Sequence, residues 1–202
     1  MNQKKSQKLY MIAVVAVMSA LSTVLMYLQI GVPFVPGFLK FDFSELPALM
    51  TSFAISPIAG ICVSFLKNLL HLFGTTTMGV GELSNFLMSA TYVFFAGLIY
   101  QKVKSRKGAL LGSAIGTLAS AIISFPVNYF ITYPVFFVIF APKDAILGAY
   151  SALIPFIDSL PEALLVVNMP LTAAKGIVCA AIAFLIYKPL SPILKGKWAK
   201  KS

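Results

Sequence analysis

The stretch "AISPIAG", residues 54–60, decides how often this chain crosses a bilayer. Pro57 has no backbone N–H to give a helix ladder, and it biases Ser56 away from helical geometry. The apolar segment running through it therefore reads as two helices, a short one from about 44 to 55 and a second from about 57 to 73.

The break settles a parity problem. Basic residues cluster at Lys4, Lys5 and Lys8, at Lys102, Lys104, Arg106 and Lys107, and at Lys188, Lys195, Lys197, Lys200 and Lys201. The positive-inside rule puts all three clusters in the cytoplasm, so the crossings between them must be even in number. Without the break, the first interval holds three apolar segments; with it, there are four, at about 9–29, 44–55, 57–73 and 80–101. Two more, about 108–133 and 162–187, complete an all-α membrane protein with a single transmembrane domain. It has six transmembrane helices, cytoplasmic N and C termini, and outer loops at 30–43 and 134–161. The span at 44–55 is shorter than a bilayer requires and calls for local thinning or shelter by its neighbours. All six carboxylates, Asp42, Glu45, Glu82, Asp144, Asp158 and Glu162, fall at or beyond the outer ends of these spans.

Composition agrees with this reading. The 202 residues are 59% hydrophobic and 11% charged, with a mean hydropathy of +0.90, far outside the soluble range. A net charge of +10 then reports topology, and no nucleic-acid partner is expected. No segment is long enough for a soluble ATPase or protease module. The apolar run after Lys8 is too long for a signal peptide and reads as a retained first span. Cys62 and Cys179 sit in apolar runs without metal or redox spacing and read as packing residues. No internal repeat points to an inverted-repeat carrier.

Against this background the polar residues inside the spans stand out. Lys67 and His71 lie four apart on one face of the third helix, and Glu82 and Asn85 lie three apart at the start of the fourth. Opposite charges at one depth on adjacent helices suggest an interhelical network. For Lys67 and His71, a structural polar clamp and a site role remain equally open. Glu82 and Asn85 read as a cavity wall. Lys175, in "NMPLTAAKGIVCA" (168–180), lies two or three turns from either helix end, too deep to snorkel, and must meet a partner or a ligand. Asn128, in "FPVNYFITYP" (125–134), is an amide that can read donors and acceptors on a heterocycle, or else make an interhelical hydrogen bond. The loop "LQIGVPFVPGFLKFDFSEL" (28–46) combines helix breakers with four phenylalanines, which fits a cover over a cavity for a flat ring or an interfacial aromatic belt. These groups converge on the outer half of the bundle, as a capture site for a small, partly aromatic, largely uncharged molecule.

Chemistry for catalysis is not apparent. There is no HExxH, GxSxG or Walker lysine, so no catalytic residue, no metal ligand and no cofactor is expected. A proton-coupled carrier wants a carboxylate near the midplane, and every acid reads as peripheral.

Four stretches, "FDFSELPALM" (41–50), "KNLLHL" (67–72), "GVGELSNF" (79–86) and "NYF" (128–130), resemble the riboflavin-binding substrate-capture subunits (S components) of energy-coupling factor (ECF) transporters. The resemblance runs over most of the chain and implies six helices with cytoplasmic termini in a bacterial plasma membrane. It implies a loop after helix 1 that closes over riboflavin as the transported ligand. Leu39, Lys40, Asp42, Glu82, Asn85, Asn128, Thr172 and Lys175 are then the expected substrate-binding residues, with Asn128 and Lys175 at the positions that hydrogen-bond the ring edge. Thr172 stands where the family pattern has an asparagine, and Asn168, one turn earlier, is the compensating amide. It further implies that Ala13, Ala16 and Ala20, a small-residue face of helix 1, contact a transmembrane coupling subunit, which carries two ATPase subunits. An S component for thiamine or pantothenate, and a membrane assembly protein with no ligand, are the alternatives.

Overall fold

The computed structural model describes residues 3–195, with side chains from 5 to 186; Lys197, Lys200 and Lys201 of the last basic cluster lie outside the described residues. Nine α-helices are present among them: α1 (Gln3–Tyr27), α2 (Glu45–Ala54), α3 (Pro57–His71), α4 (Val80–Lys102), α5 (Arg106–Val127), α6 (Tyr133–Ile139), α7 (Lys143–Ser151), α8 (Leu160–Ala163) and α9 (Met169–Lys195). Five stretches are long and apolar enough to cross a membrane: Lys5–Tyr27, Pro57–Gly74, Val80–Lys102, Arg106–Ile139 and Leu160–Ile186. The protein is a multi-pass membrane protein.

The chain does break at Pro57. Ser56 is extended, at φ −168° and ψ 159°, and its hydroxyl accepts from the Ala59 N–H at 3.1 Å while Pro57 takes a first-turn position. A side-chain N-cap with proline just inside the helix is the usual chemistry of such a start. The preceding helix α2 has only ten residues, about 15 Å of rise against a hydrocarbon core of roughly 30 Å. Neighbours shelter it: every residue from Glu45 to Phe53 is buried, among α1, α3, α4 and α9. So α2 is a half-depth helix held inside the bundle.

The segment 134–161, expected as an outer loop, is largely helical, which corrects that reading. The helix begun at Arg106 runs on to Ile139 through a π-helical turn at Asn128–Thr132, and α7 follows after Pro142. Pro142 stands at the start of α7, whereas Pro134 lies inside the continuous helix, directly after its π turn. At Pro142 a missing N–H costs nothing, because the first N–H groups of a helix have no partner anyway. A second π-helical turn, Leu164–Asn168, joins α8 to α9. Both π turns end two residues before a proline, Pro134 and Pro170, where the ladder must lose a donor. The expected loop 30–43 contains a short antiparallel ladder, β1 (Ile30–Gly31) against β2 (Lys40–Phe41), pairing Ile30 with Phe41.

Two apolar clusters hold the bundle. One, with Leu49, Val63, Val93, Ala96 and Cys179, joins α2, α3, α4 and α9. The other, with Tyr133, Tyr150, Ile157 and Leu164, joins α6, α7, α8 and the π turn that follows α8, and receives Val35 and Leu39 from the α1–α2 loop. Helices α4 and α5 approach closely along glycines: a Cβ on Gly112 would sit 2.5 Å from the Ala96 carbonyl oxygen, and one on Gly116 2.6 Å from that of Tyr92. Small residues allow such backbone contact without a bulky side chain between helices.

Candidate ligand-binding site

Two adjoining cavities open at the end of the bundle that carries the α1–α2 and α3–α4 connections. The smaller, about 130 Å³, is lined by Leu39, Lys40, Asn85, Asn128, Thr172 and Lys175, with Glu45 and Asn168 beside them. The larger, about 430 Å³, includes Phe38, Lys40, Asp42, His71, Glu82 and Asn85. Every residue expected to bind substrate lines one cavity or the other, and Lys40 and Asn85 line both.

The helices aim these groups in different ways. On α9, Lys175 lies near the middle of the span Leu160–Ile186, and side chains lean toward the helix N-terminus, so its ammonium reaches the cavity end. Asn128 opens the first π turn; its Nδ2 donates to Ser124 O at 2.8 Å, which fixes the amide plane. Asn168 closes the second, accepting from the Tyr150 hydroxyl at 2.8 Å and donating to that of Tyr133 at 3.0 Å. Thr172 donates to the Asn168 carbonyl oxygen at 2.9 Å, spending its proton on its own helix. Asn85 Oδ1 is buried and has no hydrogen-bond partner among the described residues. An orphaned buried acceptor costs on the order of 1–3 kcal/mol, and in a cavity wall it marks a place for a donor on a ligand.

The charged groups pair differently from the sequence expectation. His71 Nδ1 meets Glu82 Oε1 at 2.8 Å, and Glu82 also accepts from Thr75 at 2.9 Å and Thr77 at 2.8 Å. Lys67 turns the other way: its ammonium lies 2.8 Å from Glu45 on α2 and does not join the α4 acid. Lys175 is 3.0 Å from Asp42 and 3.3 Å from Glu45. The carboxylates are therefore not all peripheral, because the α1–α2 loop and the half-depth helix carry Asp42 and Glu45 inward to the lysines. Two lysines and two acids leave no net formal charge. Burial pushes the Asp42 carboxyl up, but Lys175, Lys67 and the Ser44 hydrogen bonds outweigh it and hold the pKa at about 2.

Glu45 was missed as a site residue because its partners come from helices far away in the chain. The π turns were missed too, although the prolines that follow them are visible in "NYFITYP" and "LLVVNMP". Ala13, Ala16 and Ala20 are exposed on α1, away from the cavities.

Residues 10–187 match the family described as ECF transporter, substrate-specific component. The chain belongs to that family. Among its relatives, the Staphylococcus aureus (strain TCH60) protein named riboflavin transporter RibU is 30% identical over 96% of each chain. The Bacillus subtilis (strain 168) riboflavin transporter FmnP is 29% identical over 92% of this chain and 94% of its own. A solved structure, described as that of the S component of a bacterial ECF transporter, superposes with a TM-score of 0.73 at 28% identity. It covers 94% of this chain and all of the other. As an S component, the chain is a transporter subunit and not an enzyme.

Proposed function

We propose that this S component captures riboflavin from outside the cell and delivers it to an ECF module. The observation that carries the reading is the convergence of Asn85, Asn128, Thr172 and Lys175 on one cavity wall, in a chain whose relatives are named riboflavin transporters along nearly their whole length. The smaller cavity is below the roughly 300 Å³ at which ligand pockets begin, so it takes only part of the molecule. The ring edge lies at Asn128 and Lys175, and the rest extends past Lys40 and Asn85 into the larger cavity. A neutral ligand suits a site whose four inner charges already cancel.

Six helices cross or enter the membrane with both termini cytoplasmic, in a bacterial plasma membrane, so the cavities face outward. The exposed alanines of α1 serve a transmembrane coupling subunit, and two ATPase subunits supply the energy this chain has no site to capture. Lys67 and His71 hold the frame around the cavities.

Titrating the detergent-purified protein into dilute riboflavin, and following the flavin's own fluorescence, tests the reading. Saturable one-to-one quenching that thiamine and pantothenate do not relieve is expected. Relief by either vitamin would move the substrate to another S component class, and no quenching by folded protein would remove a capture role.

A further inference from the structure

Four ionisable side chains meet beside the smaller cavity from four parts of the chain: Asp42 before α2, Glu45 on α2, Lys67 on α3 and Lys175 on α9. Lys67 is fully buried and lines neither cavity. Its ammonium donates to Glu45 Oε1 at 2.8 Å and to the Ser44 hydroxyl at 2.7 Å. The other Glu45 oxygen, Oε2, accepts from Ser89, whose hydroxyl also bonds Ser64 at 2.7 Å. Glu45 Oε1 is thus shared between Lys67 and Lys175, which lies 3.3 Å away.

A clamp between helices has no need of charges. Buried ion pairs replaced by well-packed apolar groups are often no less stable, so holding α2 to α3 does not account for this one. The geometry points to a directional role. An ammonium has three N–H donors; Asp42 takes one from Lys175 at 3.0 Å, Glu45 attracts the ammonium as an ion pair at 3.3 Å, and Lys175 borders the cavity. Two carboxylates gathered on one side of the ammonium leave an N–H that neither takes free to face the cavity. With Lys67 drawing on the same oxygen, Glu45 holds Lys175 without pulling it out of the cavity wall.

We propose that Glu45, fixed by Lys67 and Ser89, is a positioning residue that holds the Lys175 ammonium at the cavity wall with an N–H free for the ligand. The proposal rests on the riboflavin reading, and deepens it by assigning the buried pair a part in binding besides its part in holding the frame. Glu45→Gln alone would strand the Lys67 charge, so the neutral pair Glu45→Gln with Lys67→Met is the informative variant. It is compared with the unsubstituted protein in both the native and the Lys175→Met backgrounds.

Riboflavin titration should give about a tenfold rise in Kd for the pair in the native background, the scale of one charged hydrogen bond, and less than a twofold rise when Lys175 is already Met. Ser89→Ala, which loosens Glu45 without stranding a charge, should follow the same pattern with a smaller rise, and it decides the matter if the pair does not fold. Equal losses in both backgrounds, or no loss in the native one, would overturn the positioning role while leaving riboflavin capture intact. Failure of the unsubstituted protein to bind riboflavin overturns both.

Discussion

Lys175 on α9 and Asp42 in the α1–α2 loop, 133 positions apart in the chain, meet at 3.0 Å. The contact ties the aromatic loop to the last membrane helix across the cavity wall, so a ligand that engages Lys175 acts on the loop as well. Both side chains are mostly buried, at 14% and 6% exposure. A pair in that setting is costly to break from one side, because the remaining charge has lost water as well as its partner.

Lys175→Met should therefore destabilise the protein by about 3–5 kcal/mol, the cost of stranding a buried charge, as well as abolishing tight ligand binding. Adding Asp42→Asn removes the stranded carboxylate and should restore most of the melting temperature in detergent while leaving ligand binding weak. If the double variant is no more stable than Lys175→Met, the pair is not what the single change breaks.

The same contact sets a pH response. Asp42 has its pKa lowered to about 2 in the fold, against about 3.9 in an unfolded chain. A depressed carboxylate stabilises the folded state fully above its unfolded value, and that contribution fades as pH falls from about 4 through 2. Melting temperature should show no Asp42-dependent change between pH 5 and 8. It should fall below pH 4 more steeply in the native protein than in Asp42→Asn, with melting curves across this range as the check.

Asn128 offers a cleaner probe of binding. Its Nδ2 bonds the Ser124 carbonyl oxygen one turn back on its own helix, so truncation to alanine breaks no contact between helices. Asn128→Ala should raise the riboflavin Kd by about ten- to a hundredfold, since a site built to pair a polar edge loses heavily when its partner goes. Its melting temperature without ligand should stay within about four degrees of the native value, because the one hydrogen bond lost lies within its own helix and is worth only about 0.5–1.5 kcal/mol net. A matching fall in melting temperature would mean that the amide serves the fold.

How far the sequence carries depends on which physics each residue obeys. Pro57 acts locally, and the break at Ser56 could be read from three residues. Pro142 instead starts a helix and Pro134 is carried inside one by the π turn before it, and only the surrounding turns tell these uses apart. The pairing of Lys67 was beyond reach for a different reason. Its place on α3 was legible from spacing, but whether it faces α4 or α2 depends on how the half-depth helix is tucked inside, and Glu45 is 22 positions away. Glu82 and Asn85 were legible as a cavity wall from their place at the outer start of a helix, whereas the resemblance was needed to give Leu39, Lys40, Asp42 and Thr172 a role and to choose between a ligand contact and an interhelical hydrogen bond for Asn128.

Close packing of α4 on α5 makes a stability test independent of binding. Gly112→Ala must push a methyl group to within 2.5 Å of the Ala96 carbonyl oxygen, an overpacking that typically costs 1–3 kcal/mol. Gly148, on α7, has nothing within 4 Å of the same position, and alanine there should stabilise by about 0.5–1 kcal/mol through the unfolded chain. Opposite shifts in melting temperature are expected from two changes of identical chemistry. Equal shifts would mean that backbone contact is not what holds α4 to α5.

The exposed alanines of α1 bear on coupling. Ala13, Ala16 and Ala20 face away from the bundle core, whereas Ser22 on the same helix bonds the Ser44 carbonyl oxygen inside it. A bulky side chain on the outer face therefore disturbs neither cavity nor core, yet blocks close approach by another helix, which small residues permit. Ala16→Leu should bind riboflavin with unchanged Kd and melt at the same temperature, but fail to co-purify with a coupling subunit and fail to support uptake in cells. Uptake at the native rate would place the docking surface on another helix, and a changed Kd would mean that α1 reaches the site through Ser22 and the loop that follows.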